Sequence, residues 1–288
     1  MAVYNGAATI GQALDTVYAQ SYTDFDVLVL DDGSTDQSAE IASSYDCRVM
    51  KVKNGGLGEA RRLLVEEARG ELVAFIDHDD FWLEQKLKRQ IDLLDRTGAD
   101  LVHADCWYVH SDGEAVPRDL KLPACATSFD HILPNNWIIA SSAVFNRQAM
   151  LDVGNFVPDT VRCSDWYGWL MLAPKHQFVH LPEKLVRYSV LDTSLANAGL
   201  KFYQAQHYLL TQHILPRREE LFADVPADTK ARYLRMLVRD VGLALSGMAR
   251  AERKTGHRSL ARKLAINAIR HAPDSTKVWS RALSCLAP

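Results

Sequence analysis

Cysteine is scarce and shows no pairing pattern. The five residues, Cys47, Cys106, Cys125, Cys163 and Cys285, form no C-x-x-C unit and their number is odd. That excludes a disulfide framework and a zinc site and predicts reduced thiols in a cytoplasmic protein. An excess of one charge is also missing. The formal net charge is -3, which provides no electrostatic case for nucleic acid as the main partner. No apolar run reaches the roughly 20 residues a membrane-crossing helix needs. The longest, Trp137 to Phe145, carries Ser141 and Ser142. The opening residues Met1 to Gly6 lack a basic segment followed by an apolar run, so no signal peptide is expected. Low-complexity tracts are absent. What remains is an ordinary folded composition: 288 residues, 48% apolar and 24% charged, enough for a sizeable core.

The first two thirds alternate helical and strand patterns. Ile10, Leu14 and Val17 share one face of a helix expected over residues 7–20. Phe25 to Leu30 reads as a strand running into Asp31-Asp32-Gly33-Ser34, and Thr35 and Asp36 can cap a helix through Ile41. Arg48 to Val52 is a further strand, broken by Asn54-Gly55-Gly56 and followed by a helix over residues 59–68. Leu72 to Ile76 is a buried strand ending at Asp77-His78-Asp79-Asp80, with a helix over 83–94 and a strand over 101–108 beyond it. Such alternation predicts a mostly parallel sheet flanked by helices, and ligands of such sheets sit beyond the carboxyl ends of the strands. Both acidic clusters lie at such ends and so belong to one crevice. Past Asn197 strand signals vanish. Lys230 to Met248 and Ser259 to Ile269 read as Arg-rich amphipathic helices, which places a domain boundary near residue 196.

Four segments can carry chemistry. Clustered carboxylates at Asp77, Asp79 and Asp80 repel one another, and a hard divalent ion with oxygen ligands relieves this. The competing reading is a solvated turn in which Asp80 caps the next helix. His78 reads as a spacer, because no His/Cys set accompanies it. Asp31 and Asp32 can accept hydrogen bonds from a base or ribose, although turn chemistry alone accounts for Gly33 and Ser34. The loop Asn54 to Gly58 can bring backbone N–H groups near a phosphate, and Arg61 can pair with phosphate or sit on a solvated face. Asp165 lies among aromatics, a setting that raises a carboxyl pKa into the range of a general base. Trp166 and Trp169 beside it read better as core anchors.

In order and spacing these segments resemble the inverting family 2 of glycosyltransferases over roughly residues 1–195. The matching stretches are Val3-Tyr4-Asn5-Gly6, Gln20-Ser21-Tyr22, Asp31 to Asp36, Asn54 to Arg61, Ala68-Arg69-Gly70-Glu71, Asp77 to Asp80 with Trp82, Gly154-Asn155-Phe156, Ser164-Asp165-Trp166 and Leu185 to Tyr188. The resemblance implies a GT-A fold: Rossmann-like, with a mostly parallel central sheet flanked by helices, here followed by a C-terminal α-helical region. The implied domains are a nucleotide-sugar glycosyltransferase domain over 1–195 and a helical region over 196–288. It implies an inverting transfer from a nucleoside-diphosphate sugar, a UDP-sugar favoured, to a saccharide or glycolipid hydroxyl in cell-surface polysaccharide synthesis. By the same resemblance Ala2, Tyr4, Asn5, Asp32 and Arg61 line the nucleotide, Asp77 and Asp79 hold ribose and metal, Asp80 joins Asp79 at the metal, and Asp165 is the catalytic base. The implied cofactor is Mg2+ or Mn2+.

Three features depart from the family pattern. Ser164 stands where Glu is frequent, Ser189-Val190-Leu191 replaces an Arg-x-His stretch, and Met1 falls inside the first strand, so the natural frame is expected to start upstream. A non-catalytic nucleotide-sugar-binding scaffold is therefore the alternative. A nucleotidyltransferase ranks last, because no basic residue follows the first strand. In the C-terminal helices Arg250, Arg253, Arg258, Arg262 and Arg270 suit a solvated face, a partner protein or anionic lipid headgroups. The expected location is the cytoplasm, at the inner face of the membrane if the acceptor is lipid-linked.

Overall fold

The computed structural model describes residues 1–118, 129–133, 136–158, 162–190 and 199–286. The chain forms two compact units, 1–192 and 193–288. The expected boundary near 196 and Cys125 lie outside the described residues.

The first unit runs β1 (Ala2–Val3), α1 (Ile10–Tyr18), β2 (Leu28–Asp31), α2 (Ser38–Ser43), β3 (Arg48–Lys51), α3 (Leu57–Glu67), β4 (Leu72–Ala74), β5 (Phe81–Trp82), α4 (Lys86–Thr97), β6 (Leu101–His110), β7 (Ala115–Arg118), α5 (Phe129–Ile132), a 3₁₀ turn (Ala140–Ser142), β8 (Ala143–Asn146), α6 (Arg147–Asp152), α7 (Ser164–Leu172) and β9 (Phe178–Val190). Strands β3, β2 and β1 pair in parallel, and a parallel bridge between Ala2 and Asp77 carries the chain after β4 alongside β1. The second sheet has the order β4-β8-β6-β9-β5, with β7 on β6. Its long β6–β9 pair is parallel, whereas β4–β8, β6–β8, β5–β9 and β6–β7 are antiparallel. This sheet is thus mixed. The short loop from β6 to β7 turns at Gly113 (φ 85°), and a tight turn can join only antiparallel neighbours.

Helix α1 buries Ile10, Ala13, Leu14 and Val17, the stripe its spacing predicts. Ile10, Leu14 and Val17 each contribute about 1.5–3 kcal/mol by leaving water. These residues join Val3, Val29, Ile76, Trp82, Leu87, Val102, Val144 and Val186 in one core. Two helices start later than expected. Helix α1 begins at Ile10 and not at residue 7, after a turn in which the backbone N–H groups of Gly6 and Ala7 donate to Ser38 Oγ and Asp36 Oδ2. Helix α4 begins at Lys86 and not at residue 83, because Phe81 and Trp82 pair with β9 and Leu83 N donates to Leu185 O. Trp166 and Trp169 are core anchors: both are buried, and their indole N–H groups donate to Ile132 O and Ile138 O.

The second unit comprises α8 (Leu200–Tyr208), a π-helical continuation (Leu209–Ile214), α9 (Arg218–Leu221), α10 (Ala227–Lys254), α11 (Arg258–His271) and α12 (Thr276–Leu286), with no strand among its described residues. Helices α10, α11 and α12 pack closely through small side chains. Ala249, Ala261, Ala265, Ala282 and Cys285 form the shared core. A Cβ on Gly242 would stand 2.8 Å from Ala272 Cβ, so only glycine admits this approach of α10 to the end of α11. No helix of the described chain is long and apolar enough to cross a membrane.

Candidate functional site

Four loops meet beyond the carboxyl ends of β1, β2, β3 and β4. The first two are laced together by short polar side chains. Asn5, at φ 52°, accepts Thr35 N through Oδ1 at 2.8 Å, and its own N–H donates to Ser34 Oγ at 3.0 Å. Ser34 N in turn donates to Asp31 Oδ1 at 2.9 Å. Asp36 accepts Ala7 N and Ser38 N, and its hydrogen bonds, that from the Ser38 hydroxyl foremost, hold its carboxyl below the usual range.

Asp32 is buried, and its carboxylate receives Gly55 N at 2.7 Å and Gly56 N at 2.9 Å. Asn54 Nδ2 donates to Asp32 O. Gly33 (φ 78°) lets the chain pass: a Cβ there would stand 2.8 Å from Asn54 N, a contact no side chain tolerates. The glycine loop therefore turns two of its amides onto Asp32, which corrects the expectation that they face a phosphate. Each Asp32 oxygen keeps a second lone pair for another donor.

Arg61, 4% exposed, stands at the centre of the second half of the site. Its Nη2 donates to both oxygens of Asp77 at 3.1 and 3.3 Å, its Nη1 donates to Ser164 Oγ at 2.8 Å, and Asp165 Oδ1 lies 3.8 Å from Nη1. It also lies over the Phe75 ring at 5.6 Å. Helix α3 brings Arg61 inward on the face that carries Leu64 and Val65. Asp165 sits in the first turn of α7, where it accepts Asn136 Nδ2 at 2.9 Å and its own helix's Trp166 N at 2.9 Å. Burial pushes its carboxyl pKa up, against the Arg61 charge and the Asn136 hydrogen bond.

The acidic turn is fastened from behind. Ser141 Oγ, in the 3₁₀ turn, accepts Asp77 N at 3.0 Å and donates to Asp80 Oδ2. Ser189 N donates to Asp80 Oδ1 at 2.9 Å, and Ser189 Oγ to Asp79 O. Asp80 has no exposed surface, and burial holds its carboxyl well above the ordinary carboxylate range. Both its oxygens are engaged by the protein. It anchors β9 and the 3₁₀ turn, which differs from the expected place at a metal and from the expected helix cap. Asp79 is half-buried, and no other residue's donor reaches its carboxylate among the described residues. Burial first, then the Asp77 charge, push its carboxyl up. His78 Nδ1 sits 3.1 Å from Thr9 Oγ1.

The described residues contain no group of three His, Cys, Asp or Glu that could hold a metal ion. The donor set fits a divalent ion only as one shared between Asp79 and a ligand's phosphate oxygens, a common way of holding Mg2+. Of the residues expected at a nucleotide, Arg61 and Asp77 meet directly, and Ala2 pairs with Asp77 in the bridge beside them. Asp32 joins the group through Asp32 N to Val3 O. Tyr4 projects from the same strand end with 51% of its surface exposed. Asn5 is drawn into the loop lacing. Ser141, Asn136 and Ser189 were not anticipated at the site: Ser141 and Asn136 come from remote segments with no motif around them, and Ser189 was read only as a departure from the family pattern. Leu191, in the departure from the Arg-x-His pattern, lies outside the described residues.

A parallel three-stranded sheet, a mixed second sheet and acidic loops at the strand ends define a GT-A glycosyltransferase fold. The family model of glycosyl transferase family 2 matches residues 1–152, and the chain belongs to that family. An uncharacterized glycosyltransferase of Rickettsia typhi is 33% identical over 108 residues, 37% of this chain and 34% of its own length. The putative teichuronic acid biosynthesis glycosyltransferase TuaG of Bacillus subtilis is 26% identical over 201 residues, 67% of this chain and 79% of its own. The chain spans about a third to just over half the length of several curated relatives it matches. Among solved structures, S. aureus TarS 1-349 in complex with UDP-GlcNAc superposes with a TM-score of 0.69 at 19% identity, covering 98% of this chain and 88% of that one. The mannosyltransferase PcManGT of Pyrobaculum calidifontis, in complex with GDP-Man and Mn2+, gives 0.55 at 18% identity, covering 99% and 84%.

Proposed function

We propose that the first unit transfers a sugar from a nucleoside-diphosphate sugar to a hydroxyl of a saccharide or glycolipid acceptor, with inversion at the anomeric carbon. The observation that carries this reading is the buried Arg61, which ties the donor-side Asp77 to Asp165 across elements far apart in sequence. Asp165 takes the acceptor proton as the acceptor oxygen bonds to the anomeric carbon. The bond from that carbon to the diphosphate oxygen breaks, and the nucleoside diphosphate leaves with the electron pair. A carboxyl whose pKa is raised by burial suits this task, since a base works best with a pKa near the working pH. Asp77, held by Arg61 and Ser141, and Asp32, held by the glycine loop, position ribose and base, with Ala2 and Tyr4 beside them. Asp79 is the residue that would hold Mg2+ or Mn2+ together with the donor's phosphates, and such an ion stabilises the negative charge that builds on a leaving diphosphate.

A UDP-sugar is favoured as donor because TarS of similar fold was crystallised with UDP-GlcNAc. The name of TuaG supports a place in cell-surface polysaccharide synthesis. We place the protein in the cytoplasm, in keeping with its unbridged cysteines Cys47, Cys106, Cys163 and Cys285. A non-catalytic nucleotide-sugar-binding module is the second reading, favoured by the full engagement of Asp80 and the lack of a ready metal cage among the described residues. Calorimetric titration of UDP, GDP and dTDP, each with and without Mn2+, tests the donor site. Metal-dependent binding of one nucleotide that Asp79→Ala abolishes is the expected outcome. Nucleotide binding without turnover of any nucleotide sugar would favour the second reading, and no binding at all would overturn both.

A further inference from the structure

The two units carry opposite charge. Residues 193–288 hold sixteen Lys and Arg against seven Asp and Glu, a net of +9, whereas residues 1–192 hold seventeen against twenty-nine, a net of -12. The near-neutral total conceals this partition. Within the second unit the span of α11 and α12 carries Arg258, Arg262, Lys263, Arg270, Lys277 and Arg281 against one carboxylate, Asp274. Several cations earlier in the unit are engaged instead. Arg217, Arg218, Lys230 and Arg239 each pair with a carboxylate. Among the described residues no ion pair engages Arg258, Arg262, Lys263, Arg270 or Lys277, and all five are exposed.

The same two helices expose large apolar side chains. Leu260 is 45% exposed, Ile266 44%, Trp279 39% and Leu283 57%. On α11 the buried stripe is Ala261, Ala265 and Ala268. Helical spacing puts Lys263, Ile266 and Arg270 on the opposite face, with Leu260 and Arg262 at its borders. On α12, Trp279 and Leu283 are one turn apart, outside the buried Val278, Ala282 and Cys285. Unpaired cations interleaved with exposed aliphatic and Trp side chains match a boundary with two layers, one anionic and one apolar.

We propose that the α11–α12 hairpin docks on a bilayer rich in anionic phospholipid. The five cations lie in the headgroup layer, and Leu260, Ile266, Trp279 and Leu283 enter the acyl boundary. A second copy of this face would bring cations against cations. A nucleic acid would neutralise the cations but leave three aliphatic side chains in water. The inference goes beyond the transfer reading and does not depend on it, since docking is measured without donor or acceptor. If that reading holds as well, the hairpin brings the enzyme to the surface where a lipid-linked acceptor resides.

The test is sedimentation of the full chain with phosphatidylcholine vesicles, with and without phosphatidylglycerol. Binding is expected only with the anionic lipid. It should weaken when salt rises from about 0.1 M to about 1 M, as the Debye length shrinks from about 10 Å to about 3 Å. Removing three cations together, Arg262→Gln with Lys263→Gln and Arg270→Gln, should lower partitioning by about a hundredfold, near fivefold for each. Ile266→Ser with Leu283→Ser, at sites already exposed, should lower it at least about tenfold, near 0.8 kcal/mol per buried CH₂ being lost. Circular dichroism melting checks that each variant folds, and the salt titration of the unaltered chain stands without them. Equal binding to both vesicle types, or folded variants that bind as the unaltered chain does, would overturn the proposal. So would binding to soluble heparin that matches the vesicle affinity and ignores Ile266→Ser and Leu283→Ser, because that outcome defines a polyelectrolyte site.

Discussion

At the scale of single residues, the site rests on one cation shared between two carboxylates. Asp165→Asn keeps the shape and removes the base. Turnover is expected to fall by about 10²–10⁴-fold, the usual worth of a positioned general base, while nucleotide affinity stays within about twofold. Transfer assays and calorimetry on the same preparation check the split. The pH dependence follows from the same carboxylate. Transfer needs Asp165 ionised, and burial raises its pKa, so the rate should fall as pH drops through a value above the ordinary one near 3.9. Arg61 opposes that rise. Arg61→Gln should therefore move the acidic limb of the kcat profile to still higher pH, whereas a purely structural part for Arg61 would lower kcat with the limb unmoved. Neither residue's surroundings could be read from its neighbours in sequence. The aromatic context of Asp165 pointed to a raised pKa, but the guanidinium that tempers it arrives from a helix about a hundred residues earlier.

At the scale of elements, the acidic turn depends on a 3₁₀ turn that no motif marks. Ser141→Ala leaves a buried Asp80 oxygen and Asp77 N without their partner. An unsatisfied buried group costs about 1–3 kcal/mol, and the urea midpoint should report that loss. Helix α10 carries a different burden. Asp240 is buried, no hydrogen-bond partner stands at its oxygens among the described residues, and Arg239 Nε lies 3.6 Å away. Burial raises its pKa to about 6. A carboxyl with a folded pKa above its unfolded value binds its proton more tightly when folded. Its contribution is fully present below the unfolded pKa near 3.9 and is lost as pH rises through about 6, by about 2–3 kcal/mol. Asp240→Asn is expected to raise the melting temperature at pH 8 and to flatten its dependence between about pH 4 and pH 6, the interval between the unfolded and folded pKa values. The helices and strands were largely legible, since burial repeats at helical spacing in α1 and α10, and β2 is an apolar run buried almost throughout. Their starts were less so. Helix α4 loses its first turn to β5 because a partner strand more than a hundred residues onward, pairing Arg187 with Phe81, offers hydrogen bonds that the local sequence cannot announce.

At the scale of the whole molecule, a nucleotide that binds only the folded first unit should stabilise it by mass action. At about 100 times its Kd, with Mn2+ present, the gain is about 2.7 kcal/mol, and thermal melting with and without Asp79→Ala checks both the gain and its origin. The partition of charge, -12 against +9, is present in the sequence. It becomes meaningful only once the boundary between the units divides the chain. By itself the sequence determined the alternating α/β plan, the helical second part, the two acidic clusters at strand ends and the family they resemble. All of these follow from periodicity and from motifs a few residues long, where cause and effect are adjacent. Only the tertiary structure decided which carboxylates are free and which are engaged. Among the described residues Asp79 is left open while Asp80, its neighbour, is buried between Ser141 and Ser189, and Asp32 is bound to the glycine loop. Hydrogen bonds and burial act between side chains that the fold brings within about 3 Å, and for these residues the partners stand between 23 and 109 positions away along the chain.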